Sequence, residues 1–367
     1  MKYFNLRKLA YLYAVFLFIA STYVSNANAQ DPLIAANKKL ANLQQAQAID
    51  ERKRYMNLFC QNLALDGAKL GYKKKCAAYF DDSKVSALMG NALRIHKPII
   101  NTGIKIRVAM IGGIFSDCVR DKVNMYSNAK TYIKNSNIPS ISNINFSDIR
   151  ITGYSSSTIN ANLIANAIGR MNVAKDEHLI IVSYSKGTSD MIEALATYPN
   201  LATKIDAHLS IAGVVLGSPL ANNKSIFEKI FKLLNMKCQG PDGKGLQSIT
   251  TVHREHYLKQ HTLPKNVSYY SLIGNASKTR TSIALRPLRT QLSLLGIKTS
   301  DAQVPTSNAV LPSSKVLGFM NADHWAIAMP FDISHPILSK TLVNKNTFPK
   351  EIMLSSALEL IAQDLSR

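Results

Sequence analysis

The stretch His178-Leu179-Ile180-Ile181-Val182-Ser183 runs without a break into Tyr184-Ser185-Lys186-Gly187. A short aliphatic run rich in β-branched side chains, with no polar alternation, reads as a strand buried on both faces. The residues after it, Thr188 to about Thr197, have helical character and stop at Pro199 and Asn200. The same alternation extends in both directions. Strands are expected at Ile104 to Ile114 (IKIRVAMIGGI), Ile149 to Tyr154, His208 to Val215 and Val267 to Ile273. Helices are expected at Asp121 to Lys134 and Ile159 to Met171, with an amphipathic one at Lys350 to Leu365. The fold class is therefore α/β: a mostly parallel sheet with helices on both faces. In such sheets the functional site lies beyond the carboxyl ends of the strands.

Ser183-Tyr184-Ser185-Lys186-Gly187 occupies that end. A strand that turns sharply into a helix at a serine is the setting of the G-x-S-x-G nucleophile elbow. The tight turn requires small residues two before and two after the serine. Gly187 meets this requirement, and Ser183 replaces the other glycine with a small polar residue. Ser185 also stands at a helix N-terminus, where free N–H groups and the helix dipole favour negative charge. The backbone N–H of Lys186 is then one donor to an oxyanion. Ile111-Gly112-Gly113-Ile114-Phe115 supplies a second, at the N–H of Ile114 or alternatively Phe115, because its glycines let the backbone approach a substrate closely.

A serine hydroxyl needs a base, and the base needs a carboxylate to orient it. With a nucleophile elbow these follow in the order Ser, Asp or Glu, His. His324, in Asn321-Ala322-Asp323-His324-Trp325-Ala326, is the candidate base. Asp323 is its sequence neighbour and would point the wrong way to hold the imidazole. Asp301 is the only acidic residue between Glu255 and Asp323, which makes it the candidate acid.

With these residues in place the chain resembles the α/β-hydrolase superfamily from about Ile104 to Leu365. The likeness rests on Ser-Tyr-Ser-Lys-Gly at the elbow, Ser-Asp-Ala-Gln-Val at the acid and Ala-Asp-His-Trp-Ala at the base. It is most similar to bacterial esterase and lipase-type members with a Tyr-Ser-Lys-Gly elbow. The resemblance implies hydrolysis of acyl esters, small or lipid, through a serine acyl-enzyme. It departs from the pattern at Ser183 and in lacking a His-Gly oxyanion signature. An acyltransferase using the same triad, and a non-catalytic envelope-binding protein on this scaffold, are the alternatives.

The rest of the chain sets the context. Lys2, Arg7 and Lys8, the apolar run Leu9 to Ala20 and the Ala27-Asn28-Ala29 site form the three parts of a secretory signal peptide. The expected product is exported, periplasmic or secreted, with residues 1–29 removed. Losing three basic and no acidic residues takes the formal charge from +21 to +18. Such a charge suits an anionic envelope or membrane surface, though the cations are scattered; the tightest groups are Arg52-Lys53-Arg54 and Lys73-Lys74-Lys75. No nucleic-acid motif accompanies them, and nothing in the sequence fixes an oligomeric state. Residues 30–100 read as a helical N-terminal extension with apolar positions at Leu33, Ala36, Leu40 and Leu43. Residues 101–367 form the α/β domain, with a cap insertion at about 221–265. Four cysteines in an exported chain favour disulfides and allow three pairings; Cys60 with Cys76, both in one local helical region, is the simplest and would leave Cys118 with Cys238. His253-Arg254-Glu255-His256 matches no zinc pattern and Gly240-Pro241-Asp242-Gly243-Lys244-Gly245 lacks P-loop spacing, so no metal or cofactor is expected.

Overall fold

The computed structural model describes residues 31–43, 47–81, 103–114, 125–223, 240–331 and 336–367. Seven parallel strands form one sheet: β1 (Ile49–Asp50), β2 (Ile104–Ile111), β3 (Ile141–Ile149), β4 (Glu177–Tyr184), β5 (Ala207–Ile211), β6 (Ser268–Gly274) and β7 (Lys315–Met320). Their order across the sheet is β1-β7-β6-β5-β4-β2-β3. Described helices are α1 (Pro32–Leu40), α2 (Arg52–Asp66), α3 (Ser127–Asn135), α4 (Ser157–Gly169), α5 (Lys186–Thr197), α6 (Thr251–Gln260), α7 (Arg286–Leu294), α8 (Pro336–Lys340) and α9 (Lys350–Leu365).

Successive residues of a strand point to opposite faces, so a strand buried on both sides feeds two apolar layers. In β4, Leu179 and Ile181 join one layer while Ile180, Val182 and Tyr184 join the other. The first layer gathers Ile164 and Ile168 of α4, Met191 and Leu195 of α5, and Leu288 and Leu292 of α7. The second gathers Tyr55, Met56 and Phe59 of α2, Ile133 of α3 and the apolar length of α9. The expected architecture, a parallel sheet with helices on both faces, holds.

Four local readings differ. The second expected strand, Ile149 to Tyr154, is instead β3 at Ile141–Ile149, which among the described residues is an edge strand paired with β2 alone. Its Ile-Ser-Asn-Ile-Asn-Phe-Ser-Asp-Ile sequence is half exposed and carries little of the aliphatic signal of the central strands. β7 and β1 are strands beyond those the sequence pattern predicts; the two residues of β1 pair in parallel with β7 and bring the segment ahead of α2 to the edge of the sheet. Helix α9 is not amphipathic: every residue from Lys350 to Ala362 is buried.

The N-terminal helices do carry the expected spacing, since α1 buries Leu33, Ala36 and Leu40. Cys60 and Cys76 form a disulfide; the Cys118–Cys238 pairing lies outside the described residues. Part of the region read as a cap, residues 224–239, lies outside them as well. Its described part includes α6, which turns Arg254 inward to donate to Glu193 of α5 at 2.8 Å.

Candidate active site

The turn between β4 and α5 determines the geometry of the site. Ser185 adopts φ 56° and ψ −128°, a region a side chain enters only when its surroundings hold it there. Three backbone hydrogen bonds do so. Ser185 N–H donates to the Ile211 carbonyl at 3.2 Å, and the Ser185 carbonyl accepts from Val214 at 3.0 Å and Thr188 at 3.1 Å. The turn is crowded. A Cβ on Gly187 would strike the Gly112 carbonyl and come within 2.9 Å of Ile111 Cγ2, and one on Gly113 would sit 2.9 Å from Ser185 Cβ.

Ser183 fits where glycine is usual because its hydroxyl is used. It bonds Thr188 Oγ1 at 2.8 Å and His208 Nε2 at 2.7 Å, and Thr188 Oγ1 reaches Ser210 Oγ at 3.1 Å. All four side chains are buried, so this polar network braces β4, α5 and β5 under the elbow.

Ser185, His324 and Asp301 come together although the latter two follow different strands, β7 and β6. Ser185 Oγ lies 2.8 Å from His324 Nε2, and His324 Nδ1 lies 2.6 Å from Asp301 Oδ2. The carboxylate can only accept from the ring, so Nδ1 carries the proton and Nε2 is free to accept from the serine. The three are 5%, 3% and 1% exposed, in the order Ser185, His324, Asp301.

Further hydrogen bonds hold each partner in place. Asp301 Oδ1 accepts from Gln303 N–H at 2.8 Å and Val304 N–H at 2.7 Å, which turns Oδ2 toward the imidazole. The same loop takes the His324 N–H on the Asp301 carbonyl at 2.8 Å. Tyr184 OH donates to the His324 carbonyl at 2.6 Å. Asp323 faces away: Oδ2 accepts from Ser282 N–H at 2.7 Å, and Oδ1 from Trp325 at 3.2 Å and Ala326 at 2.9 Å. Burial pushes its carboxyl above the usual range, against these hydrogen bonds.

Lys186 N–H opens α5, where the first amides have no intrahelical partner. Its ammonium is not offered to a substrate, because it is fully buried on Asp190 Oδ1 at 2.7 Å. Asn160 Nδ2 donates to the other Asp190 oxygen at 2.8 Å. Ile114 is buried at the end of the loop whose Gly113 packs on Ser185; Phe115 lies outside the described residues. Among the described residues, no group of His, Cys, Asp and Glu side chains is arranged to hold a metal ion.

The residues that sequence reasoning missed are Tyr184, Thr188, His208 and the Lys186–Asp190 pair. Their signal is a polar side chain inside an otherwise apolar strand or helix face, and its partner is visible only in three dimensions.

Solved structures resemble this arrangement of strands and helices. The metagenomic carboxyl esterase MGS0156 superposes with a TM-score of 0.74 at 25% identity, over 98% of this chain and 100% of that one. The chain has the α/β-hydrolase fold. Weaker likenesses to other proteins of this fold include the mature lipase BlEst2 of Bacillus licheniformis, with a TM-score of 0.47 at 20% identity over 65% of this chain and 90% of that one. Phospholipase PlaB from Legionella pneumophila gives 0.45 at 16% identity, over 71% and 61%. The sequence matches no protein-family model and no curated protein sequence. In α/β-hydrolase terms, the elbow follows β4, the acid loop follows β6 and the histidine loop follows β7, all at the carboxyl end of the sheet.

Proposed function

We propose that this chain is an exported serine hydrolase that cleaves carboxylic esters. The observation that carries the reading is the continuous hydrogen-bonded line Ser185–His324–Asp301, set at a strained serine between a strand and a helix. The carboxyl esterase with which the chain shares its fold over nearly its whole length adds support.

Ser185 Oγ attacks the ester carbonyl as His324 Nε2 takes its proton. The carbonyl oxygen becomes an oxyanion that accepts from the N–H groups of Lys186 and Ile114. Asp301 stabilises the imidazolium and keeps it oriented. His324 then returns the proton to the leaving alcohol, and the acyl group stays on Ser185. Water repeats the sequence from the other side: His324 takes its proton, the hydroxide equivalent attacks the acyl carbon, and acid leaves as Ser185 is reprotonated. Removal of residues 1–29 on export leaves this machinery intact.

A fluorophosphonate probe, followed by peptide mass mapping, tests the assignment. Labelling is expected on Ser185 alone, together with turnover of p-nitrophenyl esters of graded acyl length. Labelling that survives Ser185→Ala removes the proposed nucleophile.

A further inference from the structure

Basic side chains from three separate segments converge on the loop that carries His324. The first is the Lys73-Lys74-Lys75 run, tethered to α2 by the Cys60–Cys76 disulfide. The turn that follows this run is seated by Asn321, whose N–H donates to the Tyr79 carbonyl at 2.8 Å and whose side chain donates to the Ala78 carbonyl at 3.3 Å. The second follows β6: Arg280 Nε donates to the Asn321 carbonyl at 3.3 Å, with Lys278 beside it in sequence. The third follows α8: the Thr347 carbonyl accepts from Arg280 Nη2 at 2.9 Å, and Lys345 N–H donates to Ser282 Oγ at 3.3 Å. Ser282 in turn holds Asp323, the neighbour of His324. The cluster therefore stands at the carboxyl end of β6 and β7, on the same end of the sheet as the triad.

These cations feel one another. The Arg280 guanidinium, then burial, then the Lys345 ammonium hold the Lys74 ammonium below its ordinary value. Among the described residues, no ion pair links a carboxylate to any of these six side chains; Asp323 is buried and occupied by three N–H groups, and Glu351, also buried, accepts from Tyr72 OH at 2.7 Å. From residue 256 to 351 the sequence has eleven Lys and Arg against Asp301, Asp323, Asp332 and Glu351. Like charges that outnumber nearby carboxylates create a positive potential directed at whatever approaches this end. The same rim exposes apolar side chains. Ile337 of α8 is 82% exposed, and Ile283 is partly exposed beside the Ala284 N–H bond to the Leu342 carbonyl. Cations flanking exposed aliphatic groups suit an interface of headgroups and acyl chains better than a nucleic-acid backbone, which offers phosphates but no apolar layer.

We infer that the rim formed by Lys73, Lys74, Lys75, Lys278, Arg280 and Lys345 docks the active-site end onto an anionic lipid bilayer. The docking deepens the reading of the chain as an ester hydrolase, because it brings the triad to a surface where acyl esters are concentrated. Its own evidence is charge and exposure, and it is tested separately.

The experiment sediments the mature chain with vesicles of phosphatidylcholine alone or mixed with phosphatidylglycerol, at low and physiological salt. Binding is expected only to the anionic vesicles and to weaken with salt. Combining Lys73→Gln, Lys74→Gln and Lys75→Gln should weaken it by about a hundredfold, from three near-surface charges. The corresponding triple arginine variant should retain binding, and both variants should hydrolyse a soluble short-chain ester at the wild-type rate. Equal binding to neutral vesicles, an undiminished glutamine variant, or retention on heparin without vesicle binding would overturn the inference. Vesicle binding without hydrolysis of any soluble ester would instead remove the enzymatic reading and leave the docking in place.

Discussion

Two neighbouring loops each present a buried aspartate near His324, and their hydrogen bonds separate the roles. Asp301 spends Oδ1 on two backbone N–H groups and leaves Oδ2 for the imidazole. In Asp301→Asn the same two N–H groups retain the amide oxygen, so the amide NH2 faces His324 Nδ1. That arrangement imposes the wrong tautomer, with Nε2 protonated and unable to accept from Ser185. Turnover should fall by about 10²–10⁴, as the equivalent amide swap does in serine proteases. Asp323→Asn should behave differently, since Asp323 accepts three N–H bonds and touches no reacting atom. One of those donors would then meet an NH2, at a cost of about 1–3 kcal/mol in stability. Saturating turnover measured beside denaturant melts separates the two effects; an inactive but stably folded Asp323→Asn with an active Asp301→Asn reverses the assignment.

At the scale of elements, the central strands were legible because burial on both faces leaves an unbroken aliphatic run, and β4 and β6 fall within a residue or so of the expected bounds. The edge strand β3 was not, because one covered side is too little to require an aliphatic sequence. Asp301 could be picked out by the scarcity of acids, and His324 by chain order, whereas His208 gave no signal beyond opening a strand. Its ring is fully buried under the elbow and burial pushes its pKa down to about 3. The native ring stays neutral while the unfolded chain takes up a proton below about pH 6.5. Between those values the unfolded state binds more protons, so this residue's contribution falls as the pH falls, by up to about 1.4 kcal/mol per pH unit. His208→Gln keeps an amide in reach of Ser183 and removes the titration. Unfolding free energies from pH 7 to pH 4 should therefore drop less steeply in the variant, and parallel curves would rule the contribution out.

At the scale of the whole molecule, the segment ahead of α2 belongs to the sheet as much as the strands do. Arg52 is 1% exposed and its guanidinium is met by Asp50, with Nε to Oδ1 at 2.9 Å and Nη2 to Oδ2 at 2.8 Å, and by Asp31 at 3.4 Å. Asp31 also caps α1, accepting the Leu33 N–H at 2.9 Å. Lys39, at the far end of α1, bonds Asn308 Oδ1 at 2.5 Å, and the Asn308 side chain reaches the Gly217 carbonyl at 2.9 Å. The N-terminal helix is thus tied to the connection that follows the acid loop. A cut between Ala29 and Gln30 spares every one of these contacts, and a chain of residues 30–367 should fold and unfold in one transition. A chain beginning at Glu51 loses both aspartates that face a buried guanidinium, a defect worth about 3–5 kcal/mol before the lost packing of α1 is added. Arg52→Met in the longer chain provides the comparison, because it breaks the same pair from the other side, leaving the buried Asp31 carboxylate, while keeping the packing of α1. If urea melts place the Glu51 chain within about 1 kcal/mol of the Gln30 chain, the N-terminal segment is an appendage; a deficit of several kcal/mol, larger than that of Arg52→Met, makes it part of the fold.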